Sequence, residues 1–312
     1  MLSVVGVAGL DRRTDPKPST VFRKDPPMTS LKPFYEDVQA HYDLSNEFFD
    51  LFLDPTHTYS CAYFEDESMT LEEAQIAKID LALGKCDLKP GMTLLDVGCG
   101  WGATIKRARE KYDVNVIGLT LSRNQYERVN EELQATTSHR TAEVRLQGWE
   151  EFDGTVDRIV SIGAFEHFQQ SRYDAFFSKC FEILPADGRM LLHTIVGLVW
   201  EKRQQGYKVL REDIQFARFI MTEIFPGGEL PLPAWVPDHA SRAGFSVERV
   251  QPLQMHYART LDYWAEALEA HHDEAVAIAS TEEYERYMKY LTGCAERFRS
   301  GLIDVRQYTL VK

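Results

Sequence analysis

The chain has 312 residues, 44% hydrophobic, 12% aromatic and 27% charged, with a formal net charge of −13. This suits a globular protein with one large α/β domain or two modest ones. The acidity argues against a nucleic-acid partner, because no basic stripe is present to release counterions from phosphates.

The five cysteines, Cys61, Cys86, Cys99, Cys180 and Cys294, are odd in number and lack metal-ligand spacing. They read as reduced thiols of a cytoplasmic protein. The apolar run over residues 1–10 lacks a basic n-region and a convincing cleavage site and is too short to span a bilayer, and no later stretch approaches spanning length.

Residues 1–30 are rich in Pro, Asp, Arg, Lys and Ser without apolar period, so a disordered extension is expected there, with Met28 as an alternative start. Residues 31–312 read as a single domain. Val38, Tyr42, Leu44, Phe48, Phe49 and Phe52 fit a helix over 35–53, and Thr70 opens a capping-box pattern for a helix to about Lys85. Strands are expected over 93–97, 114–119, 143–146, 158–162 and 189–195, with helices to Lys111 and over about 122–135. Two late strands, 245–251 and 303–311, flank a long amphipathic helical stretch over 261–298. The order predicts a Rossmann-like, seven-stranded, mostly parallel sheet with right-handed crossovers and a helical N-terminal segment. After strand 5, residues 197–228 interrupt the alternation with Ile214, Phe216, Phe219, Ile220 and Met221, then Phe225-Pro226-Gly227-Gly228. An insertion there suits a lid over a ligand crevice, and also an additional packing helix.

Leu94-Leu95-Asp96-Val97-Gly98-Cys99-Gly100-Trp101-Gly102 is the strongest local signal. The glycines allow a sharp turn and close ligand approach at a helix N-terminus, which points to a nucleoside-type cofactor. Gly98, Gly100 and Ala103 also fit a dinucleotide fingerprint, so the acid decides. Asp96 ends the first strand, where a carboxylate accepts from an ammonium group or a water. A dinucleotide site wants its acid at the end of the second strand. That strand instead runs into Thr120-Leu121-Ser122 with no acid, a departure from most methyltransferases as well, and Gln125 is left to reach a ribose through its amide. Trp149 and Glu150 follow the third strand, where an indole can stack on an adenine and a carboxylate can accept from its amine.

Several blocks in one order make the chain similar to the mycolic acid cyclopropane synthases, within the cyclopropane-fatty-acyl-phospholipid synthase superfamily. They are Ala40-His41-Tyr42-Asp43, Thr58-Tyr59-Ser60-Cys61-Ala62-Tyr63-Phe64, the glycine loop, Gly148-Trp149-Glu150, Gly163-Ala164-Phe165-Glu166-His167-Phe168, Glu223-Ile224-Phe225-Pro226-Gly227-Gly228 and Tyr287-Met288-Lys289-Tyr290-Leu291-Thr292-Gly293-Cys294. The resemblance runs from about Leu31 to Lys312. It implies a class I S-adenosylmethionine-dependent methyltransferase, with Tyr59 and Ser60 joining the glycine loop around the cofactor. It also implies methyl transfer to an alkene carbon of a meromycolyl-type chain, then ring closure through a carbocation. Tyr42, Tyr59 and Phe225 match positions that would face the cation.

By the same resemblance the proton acceptor is a bound bicarbonate, held by Glu166, His193 and Tyr257 with backbone groups of Cys61 and Ile162. An acid beside an anion requires a shared proton or a charged His193. Cys294 matches a cysteine proposed as catalytic in the superfamily, although this chemistry needs no thiol nucleophile. Relatives that hydroxylate the chain carry Glu in place of Gly163, and some others lack the His after Glu166, so Gly163 and His167 favour a ring product. Hydroxylating or O-methylating activity is the alternative within the family, and a non-catalytic cofactor-binding protein is the alternative outside it. Substrate on an acyl carrier protein would suit a docking patch at Lys202, Arg203, Lys208 and Arg211, residues that equally suit a solvated helix face. Transient membrane association is compatible with this composition.

Overall fold

The computed structural model describes residues 31–33 and 45–312. The expected N-terminal extension, most of the 35–53 helix and Tyr42 lie outside the described residues.

Seven strands form one sheet: β1 (Thr93–Val97), β2 (Asn115–Thr120), β3 (Ala142–Leu146), β4 (Arg158–Ile162), β5 (Arg189–Gly197), β6 (Ser246–Pro252) and β7 (Ile303–Val311), in the order β3-β2-β1-β4-β5-β7-β6. All neighbours pair in parallel except β7, which runs antiparallel to β5 and β6. The strand order reverses between β1 and β4, and a crevice opens there at the carboxyl ends of the strands.

The central strands are near-continuous apolar runs because both faces are covered. Successive residues Leu94 and Leu95, like Leu191 and Leu192, enter opposite cores. One core packs α5 (Tyr173–Ile183) and α8 (Trp235–Ala243) on the sheet through Phe176, Phe177, Val236 and Ala240. The other packs α2 (Leu71–Gly84) and α3 (Ala103–Tyr112) through Ile79, Leu83, Ile105 and Ala108. Each fully buried aromatic or aliphatic side chain contributes about 1.5–3 kcal/mol. A third core joins α1 (Asn46–Asp50) to α9 (Gln254–Ala270) and α11 (Thr281–Ser300), with Phe48, Phe49, Phe52, Trp264 and Tyr287 edge-on or tilted to one another.

The helix starts follow their caps. Thr70 accepts from the Glu73 N–H while the Glu73 carboxylate accepts from the Thr70 N–H, the expected box. Ser122 caps α4 (Arg123–Ala135). The expected helical stretch over 261–298 is three helices rather than one: α9 ends at Ala270, α10 spans His272–Ile278, and α11 starts after Ser280, whose side chain accepts from the Glu283 N–H. The insertion holds α6 (Val199–Gln204), α7 (Arg211–Phe219) and a π-helical turn, Ile220–Ile224. It leans on α11, where Gly293 has no side chain: a Cβ there would lie 2.1 Å from the Phe216 ring. Among the described residues no helix is long and apolar enough to cross a membrane.

Candidate active site

Two adjoining hollows occupy the crevice. The first is built by backbone. After Val97 the chain turns through Gly98 at φ +82°, and a Cβ there would sit 2.4 Å from Ala164 Cβ on the neighbouring turn. Both Gly98 N and Cys99 N donate to Leu119 O at 2.9 Å, tying this loop to β2. Asp96 is 1% exposed and lines the hollow. Its Oδ2 is buried without a hydrogen-bond partner among the described residues. Burial pushes its pKa up to about 7, against the pull of the Lys78 ammonium.

Lys78 is itself 1% exposed, lines the same hollow and donates to Ser60 Oγ at 2.7 Å. Burial brings its pKa down to about 8. The neighbouring Gln75 donates to the carbonyls of Thr58 and Ser60, so α2 holds the Tyr59–Ser60 wall in place. On the far side, Gln125 Oε1 accepts from Thr120 Oγ1 at 2.8 Å, which leaves its NH2 as the group for a ligand. Trp149 lines the hollow and is backed by Phe168 and Phe176. Glu150 lines it too, with Oε1 accepting from Arg172 at 2.6 Å. A buried unpartnered acid, a buried cation, a glycine cradle and an indole fit a nucleoside bearing an amino-acid head, the chemistry of S-adenosylmethionine.

The second hollow, about 1320 Å³, lies between β4, β5 and the insertion. Ile214, Phe216, Ile220, Phe225, Leu261 and Phe298 give it apolar walls. Glu166, His193, Tyr257 and Cys294 also line it. The β4–β5 register sets Ile162 opposite His193, and Gly163 N donates to His193 O at 2.9 Å. Glu166 sits in the single helical turn Phe165–His167, and its Oε1 accepts from Ile195 N at 2.6 Å. Its Oε2 is buried with no hydrogen-bond partner among the described residues. Burial pushes the Glu166 pKa up to about 7, opposed by that backbone bond.

His193 is 1% exposed, and burial, aided by Lys78 and Lys85, holds its pKa well below the usual imidazole range. Its Nε2 is likewise buried and unpartnered among the described residues. Burial also raises the Tyr257 phenol well above its ordinary range, lowers His167 to about 4 and lifts the Cys294 thiol to about 12. Tyr59, Ser60, Gly163 and His167 line both hollows and form the passage between them.

Most residues expected at the site therefore meet in the crevice. Of those expected at the cofactor, Tyr59, Ser60, Asp96, Val97, Gly98, Cys99, Gly100, Trp101, Thr120, Leu121, Gln125, Trp149 and Glu150 line the first hollow. Leu94, Leu95, Gly102 and Ser122 do not. The two leucines point into the cores, Gly102 opens α3 against Val129, and Ser122 spends its hydroxyl on the Gln125 N–H. Ile162 lines the cofactor hollow, while Cys61 is fully buried with its Sγ donating to Ala62 O at 3.1 Å. In the expected docking patch Arg203, Lys208 and Arg211 are exposed, and Lys202 is half-buried with its amino group close to Gly301.

Lys78 was not anticipated. Its signal was its phase: it falls on the buried stripe Ala74, Gln75, Ile79, Ala82 of α2, where a lysine needs a reason.

A family model described as mycolic acid cyclopropane synthetase matches residues 29–308. Cyclopropane mycolic acid synthase 1 of Mycobacterium tuberculosis is 63% identical over 283 residues, covering 90% of this chain and 99% of that protein. The structure of the cyclopropane synthase MmaA2 from the same organism has a TM-score of 0.90 at 60% identity, covering 91% of this chain and 100% of that one. The mycolic acid cyclopropane synthase CmaA1 complexed with SAH and CTAB gives 0.87 at 62% identity, covering 90% and 99%.

Proposed function

We propose, from the premise that this chain belongs to the mycolic acid cyclopropane synthase family of S-adenosylmethionine-dependent methyltransferases, that it methylates a double bond of a long meromycolyl-type acyl chain and closes a cyclopropane ring. The observation that carries the reading is the meeting of the two hollows. A charged, backbone-built hollow meets a large apolar one at Tyr59, Ser60, Gly163 and His167, with two unpartnered polar atoms beside it.

Bound S-adenosylmethionine would supply an electrophilic methyl, held by Asp96, Lys78 through Ser60, Gln125 and Trp149. The chain's own residues then have three tasks. The apolar walls exclude water, which would otherwise trap the substrate cation as an alcohol. The rings of Tyr59, Phe225 and Tyr290 offer π faces to that cation; Phe225 and Tyr290 meet edge-on at 5.6 Å, so they line the cavity as a unit. Glu166 and His193 hold the small base that removes a proton from the added methyl.

A bicarbonate ion suits that pair, since it offers an acceptor oxygen to His193 and a hydroxyl to share with Glu166. With His193 neutral and Glu166 near 7, a shared proton, rather than a charged imidazole, lets an acid sit beside an anion. Tyr257 and the backbone of Cys61 and Ile162 would complete the cage. Cys294 is a wall residue in this scheme, because a thiol raised to about 12 is not a thiolate at neutral pH.

Gly163 at φ +71° favours the ring product: a glutamate there would be strained and would bring a polar group to the passage. CmaA1 is described with CTAB, a detergent with one long alkyl chain, which supports a long-chain occupant for the large cavity here. Arg203 and Lys208 at the cavity wall, with Arg211, would meet an acidic acyl carrier protein.

The test is proton NMR of lipid recovered after incubating protein, S-adenosylmethionine and an unsaturated long-chain substrate. High-field cyclopropane methylene signals that need the cofactor are expected. A methyl doublet beside a carbinol, or a methoxy singlet, would move the chain to the oxygenating or O-methylating branch.

A further inference from the structure

His193 owes its usefulness to which ring nitrogen bears the proton, and two residues behind it decide that. Gln307 is fully buried on β7, directly opposite His193 in the antiparallel β5–β7 register. Its Nε2 lies 3.3 Å from His193 Nδ1. On its other side, Lys85, the residue that ends α2, donates from Nζ to Gln307 Oε1 at 2.5 Å.

We propose that Lys85 and Gln307 are positioning residues that lock His193 as the Nε2–H tautomer, so that the ring presents a hydrogen-bond donor to the reaction cavity and cannot itself act as the base. An ammonium has donors only, so the amide must turn its oxygen to Lys85 and its NH2 to the imidazole. An NH2 also only donates, so Nδ1 must be the acceptor. A neutral ring carries one proton, and it is left on Nε2, which is buried without a partner among the described residues, in a side chain that lines the cavity. Flipping the amide would set its NH2 against the Lys85 ammonium, donor against donor in a buried group, the kind of unsatisfied contact that buried amides avoid. The low pKa of His193 keeps the ring neutral, and Lys85, brought down to about 8 by burial, is still largely protonated at neutral pH.

This assignment rests on the reading that His193 holds the small anion, and it sharpens it. An oxyanion placed there accepts from Nε2–H, and the leaving proton must go to the anion and on to Glu166, not to the imidazole. Neither Lys85 nor Gln307 lines either hollow, so both act only through His193.

The experiment is two-bond proton–nitrogen correlation on the full chain with labelled histidine, His193 being assigned by the signal lost in His193→Gln. The wild type is expected to show Nε2–H. Gln307→Glu places a carboxylate against Nδ1, and should move the proton to Nδ1 or charge the ring. Lys85→Met frees the amide and should give a tautomer mixture. Both variants should lower kcat at least about tenfold, the direction set by a wrongly held imidazole tautomer, with SAH affinity unchanged within about twofold.

A wild-type ring protonated on Nδ1, or a tautomer that neither variant alters, overturns the relay whatever the kinetics. Should His193→Gln retain full turnover while the wild-type spectrum shows Nε2–H, the relay stands as structure, but the role of His193 in the reaction, and the catalytic half of this proposal, fall.

Discussion

The two hollows are built on opposite principles. The cofactor hollow is made largely from backbone and short polar side chains at strand ends, and it keeps a buried acid and a buried amine, Asp96 and Lys78, ready for a ligand of fixed charge. The cavity under the insertion is made from side chains contributed by β5, α7, α9 and α11, and its wall is mostly apolar, with charged residues such as Arg203, Lys208, Asp213 and Arg297 also lining it. A small charged ligand can be specified by a rigid loop, since every contact is directional. A long hydrocarbon offers no directional contact along its length, so only shape and dryness select it. In the proposed reaction, chemistry is confined to where the two meet.

The largest expected effect breaks the pair at that junction. Glu166→Gln keeps the volume and the Ile195 N–H bond to Oε1, and removes only the titratable proton. Turnover should fall by about 10²-fold or more, the usual worth of a positioned acid–base group, while calorimetric SAH binding stays the same. Turnover that survives the change would remove Glu166 from the mechanism.

Next in size is a change confined to the cofactor side. Gly98→Ala must place a Cβ against Ala164 at 2.4 Å and hold an alanine at φ +82°. Strain of roughly 1–3 kcal/mol should weaken SAH binding by about 10–100-fold. Binding of a long-chain alkyl fluorophore in the other cavity should be preserved; an equal loss of both would show that the two hollows are not independent.

That division also explains what could be read from residues alone. The glycine loop, the strand limits at 93–97, 158–162 and 303–311 and the cap at Thr70 are local signals, written in neighbouring residues. The cavity is not local. Glu166, His193, Phe225 and Tyr257 converge from four segments, and only the family resemblance pointed to them together. Lys85 and Gln307 left no trace, because a lysine at a helix end and a glutamine in a strand are ordinary until the sheet register pairs them with His193. The breaks between α9, α10 and α11 were hidden because Leu268, Ala275 and Tyr287 keep facing one core across them.

A smaller effect tests the electrostatics of the junction. Glu166 has its pKa raised from 4.5 to about 7 by burial, so its favourable protonated state is fully kept below about 4.5 and lost as pH rises through 7. The buried His193 and the half-buried His167 act the other way, costing stability as pH falls below the imidazole range. The clean readout is therefore a difference: the melting temperature of Glu166→Gln minus that of wild type should grow from pH 4.5 to beyond pH 7, by a few degrees, at about 2–4 °C per kcal/mol. A flat difference would mean that Glu166 is ionised at no cost in the folded state.

The smallest expected change isolates the insertion. Gly293 on α11 packs against Phe216 of α7, and a methyl group there must push the Phe216 ring aside. That ring also carries the Arg297 guanidinium at 3.9 Å from its centroid, and Lys289 lies over Phe219 at 3.8 Å, so the insertion is seated by aromatic faces on a basic helix surface. Gly293→Ala should gain about 0.5–1 kcal/mol of helix preference, which offsets much of the lost packing and leaves the global melting temperature nearly unchanged. The insertion itself should loosen, read as severalfold faster proteolytic cleavage between α6 and α7 with SAH affinity intact. If cleavage stays slow while the affinity falls, the insertion is tied to the cofactor hollow after all, and the separation of a rigid charged half from an adaptable apolar half would have to be redrawn at α11.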